Sequence, residues 1–210
     1  ELLKERIELR TGHRVDVSSQ IREGSVGTEI DKVCSAVENY AIVMGAEAPG
    51  ALERMLIGGR TIEAIRRLAW PMIIVPLDAQ FTGLRNRGLA CDLQNVAESI
   101  PAKEIRELVN ASRAMLHVIH VSNEKQTSFD DQTIAEAEWL RDILGDLNPT
   151  YHFIANKDIE KSISDFADKN NLDLLIVIPK KHDLLSRIFQ HSHARKLVLQ
   201  SHTPVLSIHE

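Results

Sequence analysis

The chain repeats itself. Ile42-Val-Met-Gly45 resembles Ile176-Val-Ile-Pro179, Leu52 and Arg54 answer to Leu185 and Arg187, and Pro71 ahead of Met-Ile-Ile-Val answers to Pro204 ahead of Val-Leu-Ser-Ile. The matches lie 133 or 134 positions apart, and one residue of gap brings them into line. A repeat of that length is the size of a domain. The 210 residues are therefore read as a partial first copy at 1–76, a linker at 77–87 and a full second copy at 88–210. The first copy is expected to lack its opening strand, helix and strand. The opening ELLKER, without an initiator Met or an apolar leader, reads as a fragment and not as a secreted precursor.

Apolar spacing alternates between the two regular periods. Val15 to Ser18 reads as a strand, Ile30, Val33, Cys34 and Val37 as a helix face, Tyr40 to Met44 as a strand, TIEAIRRLA as a helix and Met72 to Val75 as a strand. Pro76 to Arg87 has Pro, Gly and charge but no period, which makes it the boundary. The pattern then restarts with GLACDL, a helix from Pro101 to Arg113 and a strand from Met115 to Val121. A longer helix is predicted to begin near Ser128, where Ser-Phe-Asp-Asp has capping-box spacing, with Leu140, Ile143, Leu144 and Leu147 inward. Strand YHFIA, a helix through Ile159, Ile163, Phe166 and Ala167, the run LDLLIVI, a helix over Ser192 to Gln200 and the strand PVLSIH complete the second copy. Alternating strands and helices predict an α/β fold with a doubly wound parallel sheet, since parallel neighbours need a crossover and a helix supplies one. LLIVI and MIIV suit central strands buried on both faces.

Composition narrows the class. With 43% hydrophobic residues the chain can build a core, yet no apolar run approaches the roughly 20 residues of a membrane span. A net charge of -5, with acids and bases interspersed, lacks the basic stripe that contact with a phosphate backbone requires, so neither nucleic acid nor membrane is expected as a partner. Two cysteines, Cys34 and Cys91, each within an apolar run, exclude a disulfide framework and suit a reducing cytoplasm.

Each copy places its candidate site where a strand ends and a helix begins, at the carboxyl edge of the sheet. In the first copy that stretch is VMGAEAPGALERMLIGGRT, Val43 to Thr61. Gly45 permits a sharp turn there, and Gly58-Gly59 ahead of a helix can present N–H groups to a phosphate. On these residues and on the order of its elements the chain resembles the universal stress proteins over nearly its whole length. The resemblance implies an adenine nucleotide alpha hydrolase-like, Rossmann-like fold in two tandem domains, the first incomplete. It also implies that the last strands of the two domains, Met72 to Val75 and Val205 to Ile208, pair within the chain as a pseudo-dimer.

In that family a glycine, two residues, a glycine, nine residues and a glycine followed by a hydroxyl residue wrap the phosphates of ATP, and an aspartate ending the first strand lies near the base. Gly45 and Gly58 match the first and third glycines. Ala48 replaces the second, Gly59 replaces the hydroxyl residue, and Thr61 is the nearest substitute. In the second copy Asp92 matches the aspartate and Ser192 the hydroxyl residue, but Pro179, Lys180, Lys181 and His182 fill the loop. Side chains crowd where glycine would admit a phosphate, and proline removes a donor. The candidate nucleotide-binding residues are thus Gly45, Gly58, Gly59, Thr61, Asp92 and Ser192. The expectation is a degenerate site with weak ATP binding or none, and no required cofactor.

No catalytic group is expected, because no G-x-S-x-G elbow or signature cysteine occurs. Five of nine histidines, His182, His191, His193, His202 and His209, crowd the C-terminus, but His191 and His193 lack the spacing that stacks two ligands on one helical face. No metal centre is expected. The reading is a stress-response binding or regulatory protein acting through an unidentified protein partner. The alternatives are an ATP-binding member with slow hydrolysis or autophosphorylation, and a metal-responsive module.

Overall fold

A computed structural model describes residues 2–12, 15–37, 39–45, 70–122, 130–178 and 202–208. They form two compact units, Glu1–Val37 and Glu38–Glu210. The first contains α1 (Leu2–Thr11) and α2 (Val26–Cys34). The strand predicted at Val15 to Ser18 does not form. Two valines separated by Asp16 and flanked by polar residues bury too little to hold an extended segment, and Val15 is exposed.

The second unit is built on one sheet. Its strands are β1 (Ile42–Gly45), β2 (Met72–Val75), β3 (Asn86–Ala90), β4 (Met115–Ser122), β5 (Thr150–Ala155), β6 (Leu174–Val177) and β7 (Val205–Ser207). Their order is β1-β2-β7-β6-β3-β4-β5. Every neighbour is parallel except β2 and β7, which run antiparallel. Leu174 to Val177 are buried throughout, as a continuous apolar run covered on both faces should be.

Among the described residues the helices of this unit are α3 (Val96–Ser99), α4 (Ala102–Ser112), α5 (Asp131–Leu144) and α6 (Ile159–Lys169), with a 3-10 turn at Gly145–Leu147. Strand side chains alternate between faces. Leu89, Leu116, Val118, Leu174, Ile176 and Leu206 point to one face, where they share a core with Ile105, Leu108, Leu140 and Leu144 of α4 and α5. Gly88, Ile119 and Leu175 point to the other face, where Leu172 meets them just after α6. A Cβ at Gly88 would lie 2.6 Å from Leu172 Cδ1, so any larger residue there must push that side chain aside.

Helix α5 starts later than its sequence suggested. Asp130 is the cap, accepting the Thr133 N–H at 2.6 Å, because a carboxylate satisfies an open N–H at the positive end of a helix. Helix α3 has no periodic pattern to announce it and arises from the turn after β3. Trp139 on α5 is 56% exposed. Strand β3 opens at Asn86, inside the segment read as linker. The Asp173 carboxylate accepts the N–H groups of Arg85 and Asn86 at 2.7 and 2.8 Å. Arg87 is buried, and its guanidinium donates to the Leu108 carbonyl and to Ser112 Oγ, closing the negative end of α4.

The ladders correct the repeat. Ile42 N–H donates to the Pro71 carbonyl at 2.9 Å, and Leu175 N–H donates to the Pro204 carbonyl at 2.9 Å. Ile42 pairs Met72 as Leu175 pairs Val205. Both comparisons give the same spacing of 133 positions, so the gap placed between the copies disappears. Gly45 corresponds to Ile178, not to Pro179. Among the described residues no helix is long and apolar enough to cross a membrane.

Candidate functional site

From β3 the chain steps outward to β4 and β5, then returns to the other side of β3 for β6 and β7. The order therefore reverses between β3 and β6, and the crevice beyond their carboxyl ends is where an open α/β sheet offers a ligand space. Asp92 stands there, two residues beyond β3, and Ile178 follows β6.

The turn that carries Asp92 is held on three sides. His120 is buried in β4, and its Nδ1–H donates to the Cys91 carbonyl at 3.0 Å. Gln94 N–H donates to Asp92 Oδ1 at 3.1 Å, and Leu93 N–H points at Cys91 Sγ at 3.4 Å. Glu136, reaching from α5, accepts the N–H groups of Asn95 at 3.2 Å and Val96 at 2.8 Å. Leu93 and Asn95 both adopt left-handed backbone, with φ of 53° and 51°. For leucine that conformation costs roughly 1–3 kcal/mol. Its side chain is buried in the core, which anchors the turn. The exposed Asp92 carboxylate is thus presented from a fixed turn.

Of the six candidate residues, the two that are described, Gly45 and Asp92, do not come together. Gly45 ends β1, and β1 and β2 run opposite to β7, β6 and β3. Gly45 and Asp92 therefore lie at opposite edges of the sheet and belong to separate sites. A Cβ at Gly45 would meet nothing within 4 Å, so neither packing nor a left-handed backbone demands glycine there. Gly58, Gly59, Thr61 and Ser192 lie outside the described residues, as does the loop from Pro179 to His182. Sequence reasoning passed over Glu136 and His120, which hold the Asp92 turn. Neither is near Asp92 in the chain, and nothing local marks them.

The described C-terminal histidine, His202, pairs with Asp78 at 2.8 Å between the turns that follow β2 and precede β7. The Asp78 carboxylate holds the imidazole pKa above its ordinary value, and the imidazole holds the carboxyl below its own. Among the described residues no three His, Cys, Asp or Glu side chains gather as a metal cage. Cys34 is a buried free thiol, and Cys91 Sγ faces the Leu93 N–H.

A family model described as the universal stress protein family matches residues 1–76 and 102–209. No curated protein matches the chain. Among solved structures, a universal stress protein from Archaeoglobus fulgidus superposes with a TM-score of 0.72 at 17% identity, covering 100% of this chain and 74% of that one. A functionally unknown protein from Pseudomonas aeruginosa gives 0.71 at 17% identity, covering 99% of this chain and 76% of that one. At such identity the likeness speaks for the fold, and the family model, which spans most of the chain, speaks for membership. The chain belongs to the universal stress protein family.

Proposed function

We propose that this protein is a non-enzymatic, cytoplasmic binding and regulatory member of its family, acting through a protein partner and holding a degenerate nucleotide site. One observation carries the reading. Ile178 occupies the register position of Gly45, and no glycine occurs from there to Ser201. A nucleotide phosphate bound at a sheet edge needs backbone N–H groups at close approach, which side chains obstruct. The second copy keeps an aspartate on a well-fastened turn, and its sequence lacks the glycines of such a cradle. The buried Cys34, which stands outside any disulfide, supports a reducing compartment.

The open space beside Gly45 favours a second reading, in which the first copy binds ATP through Gly45, Gly58 and Gly59 and turns it over slowly. Thermal melting with and without millimolar ATP and magnesium separates the two, because a ligand that binds only the folded state raises the midpoint by mass action. The binding reading expects an unchanged midpoint. A rise of several degrees, abolished by Gly45→Val, replaces it with the ATP-binding one.

A further inference from the structure

Away from both crevices, on the α6 face of the sheet, two imidazoles meet. His117 of β4 and His152 of β5 lie with Nδ1 and Nε2 3.1 Å apart. Phe166 of α6 packs against both, with ring centroids 4.6 Å from His152 and 6.1 Å from His117. Strand β5 is the outermost strand on this side of the sheet, and both rings are half-buried. The pair is therefore fixed by packing on one side and open to water on the other.

A separation of 3.1 Å suits a shared proton, with one nitrogen donating to the other. It also suits two nitrogens bound to one ion. At metal–nitrogen distances of about 2.0–2.1 Å, adjacent ligands lie about 2.9 Å apart at a right angle and about 3.4 Å apart at a tetrahedral one. We propose that His117 and His152 chelate a borderline divalent transition-metal ion, of the zinc, nickel or copper class, with water completing its coordination. The ligand set selects the class. Imidazole suits these ions, whereas magnesium and calcium require oxygen donors. Burial holds both rings below the ordinary imidazole pKa, and the neighbouring ring lowers His152 further. Neutral imidazole is the form that binds a metal, because a protonated ring has no lone pair to give.

The test uses the 210-residue chain with nickel and zinc chloride as probes, and magnesium chloride as the control. One equivalent of paramagnetic nickel is expected to broaden the NMR ring signals of His117 and His152 first and together. Zinc at a hundred times its dissociation constant is expected to raise the melting midpoint by several degrees. His152→Gln should weaken zinc binding more than tenfold, and His202→Gln should leave it unchanged. Broadening confined to other histidines, equal affinity in His152→Gln, or an equal response to magnesium overturns the proposal. The nickel measurement is made on the unaltered chain, so it decides the matter even if the variant does not fold.

Discussion

Ile73 stands opposite Leu206 at the centre of the antiparallel ladder that joins the two copies. Met72 faces Ser207 on one side of this pair, and Ile74 faces Val205 on the other. In the repeat, Met72 corresponds to Val205 and Ile74 to Ser207, so each flanking pairing is the image of the other. The copies meet as two subunits meet across a twofold axis, with the same patch used on both sides. Unpaired apolar edge strands attract other chains, and here two such edges cover one another.

That junction is open to a direct cut. Ile74 is almost fully buried beside Val205. Ile74→Ala is expected to cost about 2–5 kcal/mol through lost burial and the cavity left behind. Urea denaturation reads the loss, and faster amide exchange at Val205 to Ser207 would locate it at the ladder. Normal stability would mean that the two copies do not depend on this contact.

Gly88→Ala tests the other face of the sheet. The new methyl would lie 2.6 Å from Leu172 Cδ1, 3.0 Å from Ile119 Cδ1 and 3.2 Å from Leu175 Cδ1. Three neighbours must move at once, so overpacking is expected to cost about 1–3 kcal/mol. Equilibrium unfolding in urea checks the sign, and a neutral outcome would mean that the layer has slack.

Glu136→Ala removes the carboxylate that holds Asn95 and Val96. The Val96 N–H is only partly reached by water, and its loss of partner should cost about 1 kcal/mol. Amide exchange should rise at Asn95 and Val96, while β4 and β5 keep their protection. Unchanged exchange would show that the turn is held without Glu136.

The Asp78–His202 pair makes a prediction about pH. Because His202 is raised in the folded state, its contribution is complete below the unfolded value of 6.5 and fades as pH rises through the folded value. Asp78 is lowered, so its contribution is present above the unfolded value of 3.8 and fades as pH falls through the folded one. The attraction therefore operates between those two limits. An NMR titration should place His202 above an ordinary histidine, and Asp78→Asn should return it to the ordinary range. Both groups are exposed, so salt should weaken the effect.

Strands rich in Ile, Leu and Val were legible because burial on two faces leaves little choice of residue. Leu174 to Val177 is the example, while Met72 to Val75, also legible as an apolar run, alternates buried and half-buried residues. The same lack of choice blurs register. Ile-Val recurs at positions 42–43 and 176–177, and identity alone aligned them one residue away from the spacing that the hydrogen bonds impose. Val15 to Ser18 misled because alternation over four residues says nothing about whether a neighbour exists to pair with. Asp92 was legible as the residue ending a strand. Its supports were not, since His120 and Glu136 reach it only after the chain has crossed the sheet. The partnership of His117 and His152 has the same origin, because a diagonal neighbour on an adjacent strand is fixed by register and not by spacing.

The reversal of direction between β2 and β7 reaches beyond packing. Whatever occupies the edge at Asp92 leaves the edge at Gly45 untouched, because the whole length of the sheet stands between them. Two occupants cannot be pressed together in one cleft, nor can one shield the other. A change made at one of these two edges has the full length of the strands to cross before it can be felt at the other.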